Sequence, residues 1–236
     1  MQRSPLWKSI AGVLMGEIAD AHYRPGDKLP TEAQLAARFG VNRHTVRQAL
    51  AELSAMGIAH PRRGAGVFVA SVPADYPIGR RVRFQQNVLA SGRTPSRQIL
   101  RLETRAANAE EADLLQLTAS EPVHVVEGLS FADALPMAMF RSVFPARRFA
   151  DLPQALTRLN SITAALAAAG VADYTRASTR LTAKGADALL ALHLRIAEGA
   201  PVLRSVAVNV DIAGIPVEFG TTWFAGERVT LTISPP

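Results

Sequence analysis

The sequence predicts an α+β protein in two parts, a small helical unit closed by a hairpin and then a larger antiparallel sheet with flanking helices. Apolar residues recur at helical spacing between Leu6 and Leu53. Beyond them, strand-like runs dominate: "EPVHVVEGLSFADALPMAMFRSVFP", "PVLRSVAVNVDIAGIPVEFGTTWF" and "RVTLTIS". A chain of 236 residues, 48% of them hydrophobic, is long enough for two cores. The expected division is 1–70, a connector over 71–94, and 95–236.

Leu6, Ile10, Leu14 and Ile18 stand four residues apart, with Trp7, Ala11 and Ala21 widening the stripe, so a first amphipathic helix is expected there. "YRPGDKLP" ends it. Thr31 followed by Gln34 is a capping-box pattern for a second helix with Leu35, Ala36 and Phe39 inward and Gly40 as its stop. Asn42 caps a third helix to about Met56, whose apolar face is Val46, Ala49, Leu50 and Leu53. "IAHPRRGAGVFVA" then offers two extended runs around a Gly-containing turn, a hairpin. In the connector a short helix is expected from Phe84 to Ala90. Further helices are expected near Ala109 to Leu117, Ser161 to Ala169 and Lys184 to Leu194, with turns in "FADALPMAM" and "VDIAGIPVEF".

The net charge of +6 and pI of about 10.4 favour an anionic partner. Through Ala70 nine Lys and Arg face five Asp and Glu; the remainder has seventeen against fifteen, so the excess leans toward the first part. The absence of Cys excludes disulfides, thiolate metal sites and cysteine nucleophiles, and a reducing, cytoplasmic setting is expected. Lys8, Glu17 and Asp20 interrupt any signal-like or membrane-spanning run at the start, so no membrane partner is expected.

The third helix turns Arg43, His44, Arg47 and Gln48 outward. In a major groove Arg can fork onto guanine and Gln onto adenine, while Asn42 and Thr45 at the helix start suit phosphate oxygens. In the hairpin, Arg62 and Arg63 precede Gly64 and Gly66, which let a basic tip come close to a nucleic-acid backbone. Solvation of a surface is the ordinary fate of such charges, but two basic clusters on consecutive elements weigh against it. The order helix, helix, turn, helix, hairpin is that of a winged helix-turn-helix.

"LPTEAQLAARFGVNRHTVRQALAELSAMGIAHPRRGAGVFV" resembles the DNA-binding domain of GntR-type bacterial transcription regulators. The resemblance carries the family's DNA contacts to Asn42, Arg43, Thr45, Arg47, Gly64 and Gly66. Many members have Arg after the Glu that Glu32 represents; here Ala33 stands there, and one contact is expected to be missing. The remainder resembles the ligand-sensing (UTRA) domain of the HutC subgroup, whose fold is related to chorismate lyase. "DYPIGRRVRFQQNVLASG" is similar to the matching segment of phosphonate-utilisation regulators of the PhnF type; "SITAALAAAG", "TRASTRLTAKGAD" and "GIPVEF" are compatible with it.

A phosphonate or phosphate ester needs fixed donors, a cation and an orienting polar group. Ser161, at a helix start, is either an anion donor or only a cap. In sugar-phosphate-sensing members this Ser acts with two strand arginines, but Gly128 and Ser130 occupy those positions here. Replacement cations are sought in Arg83, Arg141 or Arg176, each of which could instead form a surface ion pair. Glu218 matches a family carboxylate that contacts ligand hydroxyl or amino groups; its alternative is a carboxylate on an exposed strand. Phe84 either closes over the ligand or anchors a core.

No catalytic or metal-ligating set is expected. The five His show no paired ligand spacing, and both GxGxxG and GK[ST] patterns are missing. The expected protein is a ligand-responsive regulator, a repressor acting as a homodimer on palindromic double-stranded operator DNA, with a small anionic effector and no cofactor. The alternatives are a HutC-type regulator sensing a sugar phosphate or imidazole acid, an architectural DNA binder, and a chorismate-lyase-type enzyme.

Overall fold

The computed structural model describes residues 5–62, 64–70 and 73–233. It divides into two compact units, Met1–Val72 and Pro73–Pro236. The first unit contains α1 (Leu6–Ala19), α2 (Glu32–Phe39), α3 (Arg43–Ala55), β1 (Ala59–Arg62) and β2 (Gly66–Val69). Both caps form as the sequence predicts. Thr31 and Gln34 close a capping box at α2, and the Asn42 side-chain oxygen Oδ1 accepts from the Thr45 amide at 2.8 Å. Gly40 ends α2 in the left-handed region, φ 63°, where a side chain would be strained. Leu14, Leu35, Val46 and Leu53 are fully buried in one core that fixes the faces of all three helices. Each such side chain contributes about 2 kcal/mol by leaving water.

The second unit is built on a six-stranded sheet in the order β4 (Pro95–Ala106), β5 (Pro122–Ala132), β6 (Leu135–Pro145), β9 (Pro216–Ala225), β8 (Pro201–Asp211), β7 (Tyr174–Gly185). All five pairings are antiparallel. Because side chains alternate between faces, Val125, Val143 and Leu129 turn to α5 (Ala109–Leu114) and α8 (Ala188–Leu194). Val126, Phe140 and Phe144 turn to α6 (Leu152–Leu159) and α7 (Ile162–Ala168).

Four details depart from expectation. The stretch expected as a connector belongs to the second unit; besides the helix expected there, α4 (Phe84–Ala90), it contributes β3 (Ala74–Pro77), paired in parallel to β10 (Val229–Thr232). Tyr76, Ile78 and Val88 are buried there, so apolar burial ties the segment down. The helix α5 stops at Leu114 rather than Leu117, where Leu115 and Leu117 pack beneath the sheet. The strand β7 runs on through Gly185, so the helix expected from Lys184 begins at Ala188, where Asp187 caps it. The helix α6 was not anticipated; Pro153 in its first turn reads as a breaker although it is tolerated there. Among the described residues no helix is long and apolar enough to cross a membrane, and no three His, Asp or Glu are grouped to hold a metal ion.

Candidate functional site

In the first unit α3 presents Arg43, His44, Arg47 and Gln48 to solvent. Asn42 and Thr45 are joined to each other, since the Thr45 hydroxyl donates to the Asn42 oxygen at 3.0 Å as well as the amide doing so. Arg47 is forked onto Glu32, Nε to Oε1 at 2.9 Å and Nη2 to Oε2 at 2.8 Å. The Arg47 hydrogen bond is the main cause that holds the Glu32 carboxyl below its ordinary pKa. The pair is exposed and therefore weak, so it orients the fork without locking it. In the hairpin, the Arg62 guanidinium lies 4.2 Å from the centre of the Phe68 ring and donates to His60. Arg63 lies outside the described residues. Gly64 and Gly66 have φ of 73° and 112°, and a Cβ on Gly66 would come within 2.8 Å of Lys28 Cε. Lys28, overlooked in the sequence, bridges to Phe68 and adds a cation beside the hairpin.

Replacing Arg47 with alanine should weaken specific DNA binding about five- to a hundredfold and relax base preference at one position. Anisotropy titrations at one stated salt concentration would measure it. An equal loss on random DNA would reduce Arg47 to a phosphate clamp.

In the second unit a cleft of about 710 Å³, its open mouth included, lies on the sheet face that carries α6 and α7. Its floor is a consequence of small residues meeting in register. Ser142 on β6 stands opposite Gly220 on β9, which stands opposite Ala207 on β8. One step along, Phe140, Thr222 and Ser205 form the next row. Two charged rows flank these. Arg176 is opposite Asn209, which is opposite Glu218, and Arg97 on β4 is opposite Ser130. Tyr76, the segment Val82 to Phe84, Thr163 and Tyr174 supply the walls.

Of the residues singled out in the sequence, Arg83, Phe84, Ser130, Arg176 and Glu218 meet in this cleft. Glu218 is 7% exposed and accepts from the Asn209 amide nitrogen at 2.7 Å, so it is not a carboxylate on an exposed strand. Phe84 lines the cleft and also packs toward Tyr76 against a buried cluster.

Two expectations are corrected. Arg141 does not reach the cleft, because odd-numbered positions of β6 face the other side; there it pairs with Glu111 at 3.1 Å and Glu127 at 3.5 Å. Ser161 does not line the cleft; its oxygen accepts from the Ala164 amide at 3.3 Å, and it acts as the cap of α7. Ser161→Ala is therefore expected to cost about 1 kcal/mol of stability in denaturant unfolding and to leave ligand binding alone. A lost ligand response with unchanged stability would restore the anion role.

Arg97 went unnoticed. Its guanidinium lies 4.7 Å from the centre of the Phe140 ring, and burial is the main cause that lowers its pKa. Burial lowers that of Arg176 likewise. The Nε atoms of both, and the Ser205 hydroxyl, are buried without a hydrogen-bond partner among the described residues. Burial also pushes the Tyr76 hydroxyl up to about 12 and the Tyr174 hydroxyl upward, so both remain neutral donors. Three guanidiniums line the cleft against one carboxylate, Glu218. Such a cleft suits a ligand that is anionic at one end and donates to Glu218 at the other.

Gly128 explains why no arginine stands at that strand position. A Cβ there would lie 2.4 Å from the Gln98 carbonyl oxygen and 2.8 Å from the Phe140 ring. Arg97, on the neighbouring strand β4, lies over that ring.

Comparison with known proteins agrees with this division. The model of "Bacterial regulatory proteins, gntR family" matches residues 6–69, and that of the UTRA domain matches 90–230. An HTH-type transcriptional regulator of Rhizobium meliloti, itself uncharacterised, is 37% identical over 97% of this chain and 94% of its own. A protein of Escherichia coli named "Probable transcriptional regulator PhnF" is 33% identical over 96% of this chain and 94% of its own. The crystal structure of PhnF from Mycobacterium smegmatis, 26% identical, superposes with a TM-score of 0.68 over 96% of this chain and 99% of that one. The relatives are named as regulators, and nothing supports the enzyme reading. With a DNA-reading first unit and a small-molecule-sensing second unit, the chain belongs to the GntR family of bacterial transcription regulators, in the group that carries a UTRA domain.

Proposed function

We infer that the protein is a repressor that binds a palindromic operator as a homodimer and answers to a phosphonate or phosphate ester held in the second-unit cleft. The observation that carries the effector class is the pair of buried, unpartnered Nε atoms on Arg97 and Arg176 beside Arg83, opposed by one carboxylate. A buried cation without an anion is costly, and a tetrahedral dianion offers three acceptor oxygens to such a set. Ser130, Ser205 and the Tyr76 and Tyr174 hydroxyls surround the same space with donors. The names of the PhnF relatives point the same way. On the DNA side, Asn42, Arg43, His44, Thr45, Arg47, Gln48 and Arg62, with Gly64 and Gly66 at the turn, form the reading surface. A single winged helix makes few base contacts, and two-fold pairing doubles them on a matching site.

Calorimetry of the full chain with methylphosphonate, 2-aminoethylphosphonate, inorganic phosphate, glucosamine 6-phosphate and an imidazole carboxylic acid tests the effector class. Binding only of the imidazole acid would overturn it. Operator titration in the presence of the bound compound gives the sign of the coupling. Tighter DNA binding would make the compound a corepressor rather than an inducer.

A further inference from the structure

Residues 80–83, between β3 and α4, are laced to the start of β7. The Arg80 carbonyl accepts from the Arg176 amide at 2.8 Å. Asp173, just before β7, takes two arginines from this segment. Arg81 donates from Nη2 at 2.6 Å and Nε at 3.1 Å, and Arg83 donates from Nη2 at 3.3 Å. Arg83 also donates to the Tyr174 carbonyl at 2.8 Å, and its guanidinium lies 3.5 Å from the centre of the Tyr174 ring. Of these residues, Arg83, Tyr174 and Arg176 line the cleft, whereas Arg81 and Asp173 do not. Thus one of the three cations already has an anion, whereas Arg97 and Arg176 each keep an unpartnered Nε.

We propose that Asp173 is a positioning residue of the effector site: its carboxylate holds Arg83 while the cleft is empty, and an anionic ligand gains Arg83 by displacing it. This rests on the anionic effector inferred above. The competition favours the ligand for a geometric reason. The Asp173 side chain is 38% exposed and shared with Arg81, so water and a second cation weaken its hold on Arg83. A ligand enclosed with Arg83, whose side chain is 10% exposed, meets it with less screening. When Arg83 turns to the ligand, the seam between residues 80–83 and 173–176 loses one of its ties. That seam follows β3, through which the chain arrives from the first unit, so Asp173 sets both the ligand's affinity and the state of the segment that leads to the DNA-reading unit.

The test uses the full chain with 2-aminoethylphosphonate and, separately, inorganic phosphate as probes. Calorimetry compares the native protein with Asp173→Asn, and hydrogen exchange follows the unliganded proteins. Asp173→Asn should bind the probe roughly fivefold more tightly or better. In an Arg83→Gln background the gain should shrink to under about twofold, because the effect passes through Arg83. The Arg176 amide should exchange faster in Asp173→Asn. Asp173→Ser should behave alike, which guards against a peculiarity of one substitution. An equal gain with and without Arg83 would show that Asp173 acts only through its field, and would overturn the proposal. So would unchanged affinity and unchanged exchange. If neither probe, nor methylphosphonate nor glucosamine 6-phosphate, binds the native protein, the phosphonate-or-phosphate-ester reading fails, and exchange alone decides the clamp: faster exchange of the Arg176 amide supports it and unchanged exchange overturns it.

Discussion

Replacing Arg97 with methionine should lower affinity for an anionic effector roughly thirtyfold or more while raising the stability of the empty protein. Truncating one partner of a buried, hydrogen-bonded charge pair costs about 2 to 5 kcal/mol, which sets the loss. The gain in stability follows from the direction of the Arg97 pKa. Burial lowers it, so folding penalises the charged form, and that penalty is present at every pH at which the unfolded arginine is charged. A methionine of similar length keeps contact with Phe140 without a charge to desolvate. A rise of about 1 kcal/mol, or roughly 2 to 4 °C in Tm, is expected. Calorimetry and thermal unfolding check the two halves together. Ligand should raise the Tm of the native protein and leave that of the variant unmoved. Full effector affinity in the variant would remove Arg97 from the site.

Gly128→Ala should destabilise the second unit by about 3 kcal/mol and weaken effector binding as well. The new methyl group meets a backbone oxygen of β4 and the ring of Phe140, and neither can yield freely inside a paired sheet. Relief requires Phe140 to move, and Phe140 is the platform beneath Arg97. Chemical unfolding and calorimetry would report the two effects. A variant that keeps its stability would show that β4 and β5 part easily at this point. Gly128→Arg is expected to fail to restore the strand arginine of the sugar-phosphate sensors, because the space that side chain needs is already filled.

The first unit was legible because its signals are local. The Thr31 and Asn42 caps, the Gly40 stop and the apolar spacing of α3 each lie within a few residues of what they determine, and the recognition face follows by subtraction. The second unit was legible as strands and turns, but its site was not. The cleft is assembled by register among all six strands of the sheet, and nothing near Arg97 in sequence announces that Ser130 and Phe140 will be its neighbours. A signal was nevertheless present. Arg97 shares the inward side of β4 with Ile99, and Arg176 shares the inward side of β7 with Tyr174. An arginine on the apolar side of an alternating strand is a buried cation in search of a partner. Arg141 shows the same rule in reverse. Its side of β6 was a matter of parity, and parity sends it to Glu111. The connector was misjudged because Pro, Gly and Arg mark it as a loop, whereas Tyr76 and Val88 find their apolar surroundings only in distant parts of the chain.

That last pairing also orders events in time. The first unit closes on contacts made within itself, so it can fold while the rest of the chain is still being synthesised. The strand β3 leaves the ribosome next, but it has nothing to pair with until β10 follows. At ordinary elongation speeds the wait is about 8 to 30 s. Tyr76 and the segment up to Phe84 cannot take their places in the wall until then. A newly made molecule can therefore complete its DNA-reading unit some seconds before its sensor.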